Sequence, residues 1–145
     1  MVQQGRLLQV LTVIGAFTIG LLIGSSWTAK RRYGADKPVK QAFALFVSVT
    51  FQSVEDRDKF ISFVKPLAKH VAEHEPDTLA YEFGMADNNP LEIHIFERYK
   101  SRSPAYEHTH RSSEPFKRFQ AAVKESGMVL KKTGQSFIEA DIGYM

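Results

Sequence analysis

The chain has 145 residues, 43% hydrophobic and 24% charged, which fits one globular domain with an appendage and excludes a disordered or collagen-like chain. It contains no cysteine, so disulfide frameworks, thiolate metal sites, iron–sulfur clusters and cysteine nucleophiles are excluded. The formal net charge is +3, yet all 16 acidic residues and 15 of the 19 basic ones lie after Tyr33, which leaves that stretch at −1. The basic excess belongs to the N-terminal segment, so no nucleic-acid partner is expected.

Leu7 to Ala29 is a run of 23 residues without a formal charge. As a helix it would span roughly 34 Å, enough to cross the hydrocarbon core of a bilayer. Trp27 suits the headgroup zone, and Lys30, Arg31 and Arg32 follow at once. Residues 1–29 are therefore expected to be one transmembrane anchor, meeting the lipid bilayer through residues 7–29, with 30–41 a basic linker. The positive-inside rule puts the rest of the chain on the cytosolic side. Secretion after signal cleavage is the alternative, but signal peptides have apolar regions of about 7–15 residues with their charge ahead. Ala16, Gly20 and Gly24 form a small-residue stripe that would allow close helix pairing.

Residues 42–145 read as the folded domain. Phe43, Leu45, Val47, Val49 and Phe51 alternate as a strand. Ser53-x-x-Asp56 then looks like a capping box, and Phe60, Val64, Leu67 and Val71 follow at helical spacing. Pro66 is expected to kink or interrupt that helix. Leu79–Met85 and Leu91–Tyr99 alternate around the turn Asp87-Asn88-Asn89-Pro90, which makes a hairpin. Ser103-Pro104 reads as the cap and first residue of a second helix. That helix should break near Ser112-Ser113, ahead of Pro115, and resume through Phe116, Phe119 and Val123 to a stop at Gly127. A last strand is expected from about Val129 to Ile142, with Gly134 a candidate bulge.

The order β-α-β-β-α-β is the ferredoxin-like α+β unit, one sheet with two helices on one face. Covering the other face with a second copy predicts a homodimer.

Thr78-Leu79-Ala80-Tyr81-Glu82-Phe83, the Glu97-Arg98-Tyr99 strand end, Ala105-x5-Arg111 and His110-x5-Phe116 resemble the antibiotic biosynthesis monooxygenase family. The resemblance covers roughly residues 42–142. It implies a dimeric α/β barrel and, in some members, oxidation of quinols or polyphenols by O2 without metal or flavin. It also implies that Tyr81 stands at a commonly aromatic position, Glu97 at a commonly acidic one, and His110 at a common histidine. Tyr99 stands where a haem-degrading branch tends to have tryptophan. That branch's strand-one asparagine and last-helix histidine are here Ser48 and Gln120, which speaks against haem and leaves no cofactor expected.

The chemistry fits these residues. His110 is suited to take a phenolic proton at neutral pH, with Tyr81 and Tyr99 orienting a small hydrophobic aromatic substrate. Glu97 shares the register of Leu91, Ile93 and Ile95, so it must be paired or protonated if buried, an arginine contact being the alternative to a chemical role. His70 and His74 share a helix face but sit among Lys69, Glu73 and Glu75, which reads as solvated, and no third ligand follows by spacing, so no metal site is expected. The functional expectation is a membrane-anchored monooxygenase of this family. The alternative is a non-catalytic dimeric binding or stress-associated module, which a cavity filled by Phe46, Phe96 and Phe119 would favour.

Overall fold

The computed structural model describes residues 39–142. The expected anchor at 7–29 and most of the linker lie outside them. None of the helices among the described residues is long and apolar enough to cross a membrane.

Four strands form one antiparallel sheet: β1 Phe43–Phe51, β2 Thr78–Met85, β3 Glu92–Tyr99 and β4 Leu130–Ile138, in the order β2-β3-β1-β4. This is the ferredoxin-like arrangement. Helix α1 (Val54–His74) starts where expected, with the Ser53 hydroxyl accepting from the Asp56 N–H at 3.0 Å. It runs through Pro66 without the interruption that proline could have caused. Phe60, Val64, Leu67 and Val71 are all buried on one face, and burying that stripe outweighs the backbone bond lost at proline.

The second helical stretch differs from the sequence reading at its start. Its cap is Ser101, which accepts from the Ala105 N–H, while Ser103 is extended (φ −129°, ψ 130°), as the residue before a proline tends to be. Around this kink the hydrogen bonds over Arg102–His110 follow the π-helical spacing: Tyr106 N–H donates to the Ser101 carbonyl at 3.3 Å and Arg111 N–H to the Tyr106 carbonyl at 2.9 Å. Helix α2 (Glu114–Glu125) follows under a Ser113 cap and ends before Gly127, whose φ of 68° suits glycine.

The expected bulge at Gly134 is absent. The β1–β4 register runs unbroken through Val47↔Gly134, and the irregularity falls instead between Thr78 and Ala80 on β2. Glycine is required at 134 because a Cβ there would lie 2.8 Å from the Phe46 carbonyl oxygen.

Both helices cover one sheet face. The principal core joins Val49, Phe51, Phe60, Ile93 and Ile95, with Phe119 and Val123 against it. The other face carries Phe46, Ser48, His94, Phe96 and Phe137, and Phe46 and Phe137 are each more than two-fifths exposed.

Candidate active site

Helix α2 packs on α1, with Phe60 and Phe119 meeting edge to face at 5.3 Å, and only Phe119 and Val123 of α2 reach the principal core. The space left between α2 and the sheet is a cavity of about 390 Å³, within the range of small-molecule sites. Leu45, Val47, Ile95 and Phe83 wall it from the sheet, and Phe116 and Phe119 from the helix. Tyr81 and Glu97 face it from β2 and β3, where they are direct cross-strand partners.

Of the four residues singled out from sequence, Tyr81 and Glu97 line the cavity, while Tyr99 and His110 lie behind them. The Tyr99 hydroxyl donates to Glu97 Oε2 at 2.9 Å. No arginine is within hydrogen-bond distance of Glu97 among the described residues, and the neighbouring Arg98 forms a two-pronged pair with Glu139 at 2.6 and 2.9 Å. Alternation explains this: Arg98 and Glu97 point to opposite sheet faces. Burial pushes the Glu97 carboxyl above the usual carboxylate range, while the bond from Tyr99 and the nearby His110 and Lys132 pull partly against it. Burial and the Glu97 charge likewise push the Tyr81 and Tyr99 phenols far up, so both keep their hydroxyl protons.

His110 lies behind this layer. The π-helical turn repeats a face every five residues, so Ala105 and His110 both point inward and are buried. The imidazole has no exposed surface and is enclosed by Tyr81, Tyr99, Tyr106 and Phe116, with ring centroids 5.3, 5.4, 6.4 and 4.9 Å away. It does not line the cavity. Its Nδ1 is 2.9 Å from Glu75 Oε2, and its Nε2 has no hydrogen-bond partner among the described residues.

Glu75 is the residue the sequence reading missed. It was placed on a solvated face, yet it is 3% exposed, accepts from Thr78 Oγ1 at 3.0 Å, and has its second oxygen 3.9 Å from His70 Nε2. A signal existed: Glu75 lies four residues after Val71 and so continues the Phe60–Val64–Leu67–Val71 stripe. Burial raises the Glu75 carboxyl, but the His110 bond and charge, with Thr78 and His70, more than offset it and hold it below its ordinary value.

Phe46 and Phe96 lie on the opposite sheet face, so they and Phe119 do not jointly fill the cavity. Ser48 is on that far face too, 2.9 Å from His94 Nδ1. No histidine lines the cavity among the described residues, and His110 is sealed behind rings. His70 and His74 meet edge to face at 4.8 Å, and no group of three or more histidine or carboxylate ligands converges among the described residues.

A family model described as antibiotic biosynthesis monooxygenase matches residues 47–122, more than half of the chain. The chain belongs to that family. No curated protein matches it. Among solved structures, a Caulobacter crescentus protein named for the same family is 21% identical, with a TM-score of 0.60 over 70% of this chain and 92% of its own. A conserved Bacteroides thetaiotaomicron protein is 17% identical, with a TM-score of 0.58 over 69% of this chain and 99% of its own. These likenesses establish the fold shared with the family. The match begins inside β1 and ends inside α2, so it contains Tyr81, Glu97, Tyr99, His110 and Glu75.

Proposed function

We propose that the chain is a cofactor-independent monooxygenase acting on a hydrophobic phenol or quinol, tethered to a membrane through residues 7–29 and working as a homodimer. The observation that carries this is Glu97: a carboxylate of raised proton affinity on the wall of an otherwise largely apolar cavity, held by a tyrosine hydroxyl. A base with these properties suits a weakly acidic hydroxyl near neutral pH.

Glu97 accepts the ring hydroxyl proton, with Tyr81 orienting the ring and Tyr99 fixing the carboxylate. The phenolate passes one electron to O2, and the resulting superoxide and carbon radical combine at an adjacent ring carbon. The hydroperoxide then loses water, leaving a carbonyl. One oxygen atom stays in the quinone product and the other leaves as water, so the substrate supplies all the electrons. His110, the base expected from sequence, acts in this reading from behind the tyrosines: its pairing with Glu75 fixes the rings that face the substrate. The anchor and the cytosolic placement rest on the apolar run and the basic cluster that follows it. The dimer rests on the exposed Phe46 and Phe137 of the uncovered sheet face.

Oxygen uptake by the purified protein, freed of metal and flavin, tests the reading against a panel of hydroquinones and anthrones. Saturable uptake that falls in Glu97→Gln and Tyr81→Phe supports it. No uptake by a folded dimer across the panel refutes it in favour of a non-catalytic binding module.

A further inference from the structure

Among the described residues, Glu75 and His110 are buried without lining the cavity, the first 3% exposed and the second not at all. Phenol oxidation at Glu97 makes no direct use of either. Glu75 Oε2 lies 2.9 Å from His110 Nδ1, and a carboxylate withdrawn from water has to be paired or protonated. Burial pushes the Glu75 carboxyl up, yet the bond to His110 and its charge, helped by Thr78 and His70, hold it below its ordinary value. Glu75 is therefore the ionised partner, and the imidazole is the cation it faces. That imidazole also abuts the cavity wall. Its ring centroid is 5.3 Å from that of Tyr81 and 5.4 Å from that of Tyr99, whose hydroxyl donates to Glu97 at 2.9 Å.

We propose that Glu75 and His110 form a buried ion pair with its positive end toward Glu97, and that the field of this pair, beyond the packing of the His110 ring, keeps the cavity base ionised. This rests on the reading of Glu97 as that base and names what regulates it. Glu75 and His110 are positioning residues, since neither reaches the substrate. Burial raises the proton affinity of Glu97; the Tyr99 bond, then His110, then Lys132 pull it down, and Glu75 pushes it up by less than His110 pulls. The nearer end of an oriented pair outweighs the farther one in this way. The other ionisable groups on the cavity wall are Tyr81 from β2, Arg111 past the π-helical turn and Lys124 from α2, while β1 and α1 present only apolar side chains to it.

Nuclear magnetic resonance on the full chain in detergent micelles, isotope-labelled at the glutamate carboxyl carbons and the histidine ring nitrogens, reads both ends without a substrate. In the wild type at neutral pH both His110 ring nitrogens should carry protons; a ring with one bare nitrogen overturns the ion pair. The Glu97 signal, identified by its loss in Glu97→Gln, should titrate at higher pH in Glu75→Gln, because an imidazole stripped of its counter-ion and cut off from water gives up its proton. His110→Gln should move it the same way by deleting the positive end. A Glu97 midpoint unchanged or lower in folded Glu75→Gln protein overturns the proposal and leaves His110 a packing residue. If neither variant folds, the wild-type imidazole signal decides alone. Absence of oxygen uptake with these titrations as expected overturns the oxidation reading and leaves the pair standing.

Discussion

Replacing Glu75 by alanine should destabilise the fold more than any other single carboxylate change in the domain. The substitution removes the acceptor for Thr78 Oγ1 and His110 Nδ1 together. It leaves His110 with no exposed surface and neither ring nitrogen partnered, because Nε2 already lacks a partner among the described residues. Breaking a buried pair from one side costs about 3–5 kcal/mol. With a urea dependence of about 1.5 kcal/mol per molar, the unfolding midpoint should fall by about 2–3 M. Glu75→Gln keeps an acceptor but not the charge, and should cost about 1–2 kcal/mol. The pH dependence is fixed in sign. The folded Glu75 value lies below the ordinary 4.5, so the stabilisation is present above about pH 4.5 and is lost as pH falls through the lowered folded value. Wild type and Glu75→Gln should therefore converge in acid. A midpoint shift below about 0.5 M for Glu75→Ala at neutral pH would refute the reasoning, as would a gap between wild type and Glu75→Gln that widens in acid.

Glu97→Gln should lower oxygen uptake by about 10²–10⁴-fold and abolish the acid limb of its pH profile, which in the wild type should lie above the ordinary carboxylate value because the base must be ionised. Tyr99→Phe removes the hydrogen bond that pulls Glu97 down, so the same limb should move to higher pH; a limb moving lower would contradict the assignment. Gly134→Ala places a methyl 2.8 Å from the Phe46 oxygen and 3.0 Å from Val47 Cγ2, and should cost about 1–3 kcal/mol, read as a lowered melting temperature. Phe46→Glu puts a charge on the uncovered sheet face and should shift sedimentation toward the monomer; an unchanged coefficient would remove that face from the dimer interface.

The sheet and its helices were legible because each depends on a short-range period. Alternation over Phe43–Phe51 names the helix-facing side of β1, and the 60–64–67–71 spacing names the buried side of α1. Tyr81, Glu97 and Tyr99 could be placed on one face for the same reason, since a hairpin in register aligns alternate residues of both strands. The misreadings came where a period was interrupted or ignored. Gly134 looked like a bulge because glycine in a strand signals either a bulge or a close backbone approach, and only the neighbouring strand decides between them. Ser103 looked like a cap because the widening to π-helical bonding, which moves the cap to Ser101, leaves no periodic mark in so short a segment.

By itself the sequence determined the order of elements, the face each would bury and the aromatic and acidic residues that would share one side of the sheet. These follow from backbone periodicity and the burial of apolar side chains. Only the tertiary structure decided which of them meet. It put His110 behind the tyrosines rather than beside the cavity, and gave it Glu75, 35 residues away in the chain, as its partner. The stand-off of α2 from the sheet opened the cavity and brought Arg111, Lys124 and Lys132 around it. Those pairings depend on how helices and sheet pack in three dimensions, where residues far apart in sequence become neighbours and local periodicity carries no information.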